Sequence, residues 1–282
     1  MSALNKNVHL GTSSWSCDDW KTAGFYPADM EPRDYLAHYA KTFTTVEVDS
    51  SFYRSPSPSV CKRWRDVTPD GFTFALKVPG AITHEKVLVD CGGEWDPFIT
   101  AAGELGKKLG FLVLQFAYFN KSSSCPSLDA FLERLGPFVD KCVRDVPLVV
   151  EVRNKTWLKR ELLDFLKERK LILALTEQEW MPKIRELWQK FGHGLATGPA
   201  VYARFLGERK RIEEVTKAWD KVVIDRTEET RAWLPSLEAF LAEDLRVWIY
   251  FNNHYAGYAP ASIELLKHLW NIGLTGLSPV PP

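Results

Sequence analysis

Residues 247–260 read VWIYFNNHYAGYAP. The first five are all β-branched or aromatic, the composition of a buried strand. Ala259-Pro260 with the following SIELLKHLW has the proline and the apolar spacing of a helix start. Between them stand Asn252, Asn253 and His254. A strand that is apolar while it crosses a core, polar where it leaves it, and followed at once by a helix is a β/α unit whose C-terminal end faces a site.

Seven further apolar runs lie upstream: VHLGTSSW from Val8, TTVEVDSSFY from Thr44, FTFALKVPG from Phe72, GFLVLQFA from Gly110, PLVVEVRN from Pro147, KLILALTE from Lys170 and AVYARFLG from Ala200. Helical patterns alternate with them, beginning at Pro32, Ser57, Ser127, Thr156 and Pro260, residues that satisfy or dispense with the free N–H groups of a first turn. Eight strands alternating with helices predict an α/β chain folded as a single (β/α)8 TIM barrel, eight parallel strands ringed by helices, with residues 1–282 as one domain; closure at eight leaves no exposed edge. An open doubly wound sheet is the alternative, but the first strand is followed by GTSSWS, neither a dinucleotide fingerprint nor a P-loop. Gly92 and Gly93 in DCGGEW read as a flexible turn.

Composition narrows the function classes. Lys plus Arg (36) equals Asp plus Glu (36), so no global field draws the chain to nucleic acid or an anionic membrane. MSALNKNVHL lacks the apolar core of a signal peptide, and no run is long enough to span a bilayer. Cys17, Cys61, Cys91, Cys125 and Cys142 are odd in number and contain no C-x-x-C pair, which predicts free thiols and a cytoplasmic location.

In a barrel the outward strand face packs on helices, so charged strand residues point inward or lie at the rim. The two-residue period then places Glu47 with Asp49, Lys77 after Ala75, Gln115 after Val113, Glu151 with Arg153, Arg204 after Tyr202, and Asn252 after Tyr250, all toward the C-terminal ends of their strands. If the barrel holds, Glu47, Lys77, Gln115, Glu151, Arg204 and Asn252 open into one cavity.

The same stretches carry a resemblance. LGTSSWSCDDW, TVEVDSSFYRSPSPSVCKRWRDVTPDGFTFALKVPGAITH, LGFLVLQF, VVEVRNKTW and YFNNHYAGYAP, in this order over most of the chain, resemble the YecE or DUF72 family of uncharacterised barrel proteins. The resemblance implies a TIM barrel and no particular reaction. It is carried by Ser13, Trp15, Glu47, Phe52, Tyr53, Arg54, Lys77, Pro79, His84, Gln115, Glu151, Arg153, Trp157, Arg204, Asn252 and Asn253. Departures from the family pattern surround the mouth: Asp49 in place of Asn, Arg153-Asn154 in place of Arg-His, QFAYFN after strand four, RFLGERKR on strand seven and Thr176-Glu177 without an Asp on strand six. A substrate preference of its own follows.

The mixture of side chains suggests the chemistry. Lys77, Arg153, Arg204 and the nearby Arg54 stand beside Glu47, Asp49 and Glu151, flanked by amides and aromatic rings. Arginine forks suit carboxylate or phosphate. The expected function is a metal-independent enzyme, a hydrolase or lyase, acting on a small phosphorylated or carboxylated metabolite. Glu47, Lys77 and Glu151 are its candidate catalytic groups, with a carboxylate as general acid/base. Ser13, Trp15, Asp49, Tyr53, Arg54, His84, Gln115, Arg153, Trp157, Arg204, Asn252 and Asn253 are its candidate binding residues. Glu47, Asp49 and Glu151 could instead hold Mg²⁺, although only His84 and His254 of the six histidines fall near strand ends. Glycoside hydrolysis would need Glu47 and Glu151 at about 5 to 10 Å. Two other classes remain: a nucleic-acid-processing barrel stacking bases on Trp15, Tyr53 and Trp157, and a non-catalytic ligand sensor. In the bland alternative the charges are ion pairs inside the barrel and the rings cap its core. The charged run from Glu208, with Arg209, Lys210 and Arg211, reads as a solvated helix and loop.

Overall fold

A computed structural model describes residues 6–141 and 146–276. All eight apolar runs form strands: β1 (Val8–Thr12), β2 (Thr45–Val48), β3 (Thr73–Lys77), β4 (Leu109–Gln115), β5 (Leu148–Glu151), β6 (Ile172–Gln178), β7 (Ala200–Gly207) and β8 (Arg246–Phe251). Every paired neighbour is parallel, and the order runs β1-β8-β7-β6-β5-β4-β3-β2. The outer ring contains α1 (Tyr35–Tyr39), α2 (Pro58–Val67), α3 (Gly92–Gly103), α4 (Leu128–Lys141), α5 (Arg160–Glu168), α6 (Ile184–Phe191), α7 (Thr227–Ala242) and α8 (Ala259–Gly276). This is a nearly closed α/β barrel of the TIM type. No helix of the described residues is long and apolar enough to cross a membrane.

Helix starts follow the local chemistry. The Ser57 hydroxyl accepts the Val60 N–H ahead of α2, Ser127 does the same for Ala130 in α4, and Asn253 accepts the Ala259 N–H of α8. Two expectations change. Gly92 and Gly93 are not a free turn but the first residues of α3, where burying Trp95, Phe98, Ala101 and Ala102 overrides the poor helix propensity of glycine. Thr156 lies in a separate 3-10 turn (Lys155–Trp157), and α5 begins only at Arg160 because Trp157 is drawn into the core. Cys17, Cys61, Cys91 and Cys125 are free thiols, while Cys142 lies outside the described residues.

The barrel interior fills from below. Tyr202 and Tyr250 lie 4.9 Å apart, Phe111 packs edge-on against Tyr202 and Trp248, and Trp248 stacks on His9 at 4.3 Å. Polar side chains in the upper strand ends are thereby cut off from the lower face.

Closure between β1 and β2 differs from the other seven junctions. No backbone ladder joins them. The fully buried Tyr39 of α1 inserts its hydroxyl into the seam, accepting the Thr12 N–H at 2.9 Å and donating to the Thr45 carbonyl at 3.0 Å. The strands approach because Gly11 has no side chain: a Cβ there would stand 2.2 Å from the Thr45 oxygen. Tyr39→Phe keeps the ring and strands both backbone groups, which is expected to cost about 1–3 kcal/mol. Urea unfolding checks this, and no measurable loss would remove the hydroxyl from its closing role.

Candidate functional site

Glu47, Gln115, Glu151 and Arg204 converge at the upper end of the barrel. The Arg204 guanidinium is 2% exposed and occupies the centre. Its Nη2 and Nε lie 2.6 and 3.1 Å from Glu47 Oε1, and its Nη1 donates to Gln115 Oε1 at 3.1 Å and to Glu151 Oε2. The Tyr202 hydroxyl donates to the other Glu47 oxygen at 2.6 Å. Above Glu151, Arg153 presents Nε and Nη2 to Oε1 at 2.6 Å each, and its Nη1 reaches Gln178 Oε1 at 2.5 Å. Lys77 pairs with Asp49 at 3.1 Å and lies 4.9 Å over the Phe52 ring.

Three cations thus face three carboxylates. Glu47 and Glu151 are completely buried, a placement that would be very costly for an unpaired charge. For Glu151 burial alone would favour the neutral acid, but Arg153, Arg204 and Lys77 outweigh it and hold the carboxyl at about 2. The same carboxylates, Glu151 first and then Glu47, hold the buried Arg204 proton well above its ordinary range against the pull of desolvation. Both oxygens of both glutamates are committed to donors, so one guanidinium bridges the pair that glycoside hydrolysis would need free.

Beside this network, at the ends of β3 to β6, lies a cleft of about 480 Å³ lined by His84, Gln115, Phe116, Ala117, Tyr118, Arg153, Lys155 and Trp180. Its described lining carries no carboxylate. Lys155 is exposed and has no ion-pair partner among the described residues. His84 Nδ1 is 2.9 Å from the Thr83 hydroxyl, and the ring packs edge-on against Phe52 at 4.8 Å. Burial, then the neighbouring Lys77 and Arg153, lowers its pKa below 6.5, so the imidazole is neutral at pH 7.

The residues expected in one cavity are therefore divided. Of Glu47, Lys77, Gln115, Glu151, Arg204 and Asn252, Gln115 alone lines the cleft, because the paired Arg204 plugs the barrel centre over the glutamates. Ser13, Asn252 and Asn253 surround a separate cavity of about 210 Å³ between the ends of β1 and β8. Tyr53 is 84% exposed and Arg54 is also exposed, both outside either cavity. Trp15 packs edge-on against Trp64, and Trp157 is buried against Phe119 and Phe131. Of the three rings considered for base stacking, Tyr53 alone is exposed. Arg209 and Arg211 pair with Glu213 and Glu208 on a short solvent-facing helix, Arg209–Val215.

Tyr202, on the inward face with Arg204, proves to be a member of the network, and Gln178 shares the inward period with Thr176 by the same rule. Lys155, Tyr118 and Trp180 are loop residues with no periodic signal in the sequence. Among the described residues no group of three His, Cys, Asp or Glu side chains is arranged to hold a metal ion.

A parallel eight-stranded barrel with its polar network at the strand C-terminal ends defines a TIM-barrel protein. The chain belongs to the DUF72 family, whose profile, described as "Protein of unknown function DUF72", matches residues 9–282. It is 30% identical over 128 residues to the UPF0759 protein YecE of Escherichia coli K12, a match covering 45% of this chain and 44% of that protein, so the chain spans less than half the length of that relative. Identity to the UPF0759 protein YunF of Bacillus subtilis is 23% over 291 residues, or 96% of this chain and 98% of the relative. Among solved structures, a DUF72 family protein of Thermotoga maritima superposes with a TM-score of 0.66 at 22% identity, over 95% of this chain and 99% of its own. One from Enterococcus faecalis gives 0.63 at 20%, over 98% of each chain.

Proposed function

We propose that this barrel is an enzyme for a small phosphorylated or carboxylated metabolite bound in the cleft at the ends of β3 to β6. The observation that carries the reading is the charge of that cleft: Arg153, Lys155 and a neutral His84 line it, with no acidic side chain among its described walls. The network beneath is balanced, so Lys155 contributes net positive charge where a ligand would enter. The outer N–H groups of Arg153 and the Lys155 ammonium hold the anionic group, with Arg153 oriented by Glu151 and Gln178. Tyr118 (68% exposed) and Trp180 (58% exposed) offer ring faces to the rest of the molecule.

The proton-transfer role moves from the glutamates to His84. Glu151 is ionised with both oxygens engaged, and Glu47 is sealed between Arg204 and Tyr202, whereas His84 lines the cleft with Nε2 unbonded among the described residues. A neutral imidazole at pH 7 is competent as a base. The carboxylates that could have held Mg²⁺ are turned onto Lys77, Arg153 and Arg204, so the reading calls on no metal.

Thermal melts in phosphate, sulfate and citrate test the anion site. An anion at a hundred times its Kd is expected to add about 2.7 kcal/mol to the wild type. Lys155→Ala, changing an exposed side chain, should itself alter stability by no more than about 0.5 kcal/mol while losing most of that response. Equal responses in the two proteins, or none in the wild type, would sink the reading.

A further inference from the structure

The 210 Å³ cavity between the ends of β1 and β8 has a different chemistry from the cleft. Its walls come from the loop after β1, the loop after β8, and Trp219 in the segment that joins the short helix Arg209–Val215 to α7. That segment is fixed in place. The Trp219 N–H donates to Asp19 at 2.8 Å, and the Val223 N–H donates to the Ala256 carbonyl at 2.8 Å. Gly257, at φ 110°, lets the Lys221 carbonyl approach to where a Cβ would stand at 2.4 Å. Trp219 therefore belongs to a built wall, packed against the His254 ring at 4.7 Å.

Ser13 is the residue that asks for a ligand. It continues the inward face of β1 two positions beyond Gly11, is 7% exposed, and its hydroxyl has no hydrogen-bond partner among the described residues. A buried hydroxyl left unpaired is unfavourable by about 1–3 kcal/mol. Across the strand junction, Asn252 spends its carbonyl oxygen on the His254 N–H at 3.0 Å and on its Nδ1 at 2.5 Å, and its amide Nδ2 has no partner among the described residues. A hydroxyl that can donate or accept on one side and amide N–H donors on the other thus border one cavity.

No full charge lines it. Burial, then Arg209, lowers the His254 pKa, and burial raises the Cys17 thiol to about 11, so both are neutral at pH 7. An anion would find no cation among its lining residues.

We propose that this cavity binds a small uncharged polyhydroxy compound, a polyol or monosaccharide. Ser13 and Asn252 hydrogen-bond its hydroxyls, and Trp219 packs on its C–H face. This site is separate from the anion cleft and does not rest on that reading.

Saturation-transfer NMR of the full chain with glycerol, D-ribose and D-glucose tests it. At least one should bind saturably to the wild type. Ser13→Ala removes one hydrogen bond and should weaken that binding about five- to tenfold, and Trp219→Ala should weaken it too. Lys155→Ala should leave it unchanged, and Ser13→Ala should keep the wild-type melting response to phosphate; these controls separate failure of this site from failure of the cleft. Absence of saturable binding by all three probes, binding unaffected by both Ser13→Ala and Trp219→Ala, or displacement of the bound probe by inorganic phosphate overturns the proposal, the first outcome leaving water as the partner of Ser13.

Discussion

Arg204→Ala is expected to lower folding stability by about 3–5 kcal/mol, the range seen when one partner of a buried ion pair is removed. The guanidinium is shared by Glu47 and Glu151, neither of which has any exposed surface, so its loss leaves two buried carboxylates facing each other across a void. Arg153 and Lys77 can compensate only in part: Arg153 reaches the far oxygen of Glu151, and Lys77 pairs with Asp49. Urea midpoints measure the loss. The coupling can be isolated by a double-mutant cycle, since Glu47→Gln should be markedly less harmful in the Arg204→Ala background than in the wild type. A loss below about 1 kcal/mol would mean that the barrel centre hydrates freely and that the network is not a structural plug. Arg204 is consequently a poor candidate for greeting a ligand, because its charge is already spent on the scaffold.

Acid should expose the same network from the other side. The folded Glu151 carboxyl is held at about 2 against an ordinary 4.5, so its ionised form is favoured by folding. A depressed carboxyl contributes stability that is fully present above about 4.5 and fades as pH falls toward about 2; the shift corresponds to roughly 3 kcal/mol. His84 acts in the same direction one window higher. Its folded pKa lies below 6.5, so its share is complete above 6.5 and declines as the ring is forced to charge. Urea unfolding at stepped pH should therefore show a shallow decline below 6.5 and a steeper one below 4.5. Glu151→Gln, less stable at neutral pH, should lose much of the steeper limb. An acid limb of unchanged slope in that variant would assign the acid sensitivity to other carboxylates.

The fold was legible because strand count and strand-helix alternation are properties of the whole chain. Errors of one or two residues at the ends, such as Gly110 for Leu109 or Lys170 for Ile172, do not alter them. The two-residue period also identified the inward charges, and Glu47, Gln115, Glu151 and Arg204 do meet. What it could not supply was depth. Period alone does not distinguish Glu47, sealed beneath Arg204, from Gln115, which borders open space, since both stand at the inward face of strand ends, on β2 and β4. Loop residues were less legible still. Lys155 and Trp180 reach the cleft through turns whose direction no periodicity encodes, whereas Trp157, two residues from Lys155, turns back into the outer core.

The phenol that joins β1 to β2 also determines where the barrel can breathe. Seven junctions are closed by amide ladders, whereas this one is bridged by a single phenol. Native-state hydrogen exchange should follow that asymmetry, with the Thr12 amide exchanging sooner than those of β4, which is flanked by paired strands on both sides. Ser13 lies one residue beyond Thr12 on one lip of this line, and Glu47 lies two beyond Thr45 on the other. A gap at this seam would thus open beside the neutral cavity on one side and the sealed carboxylate on the other.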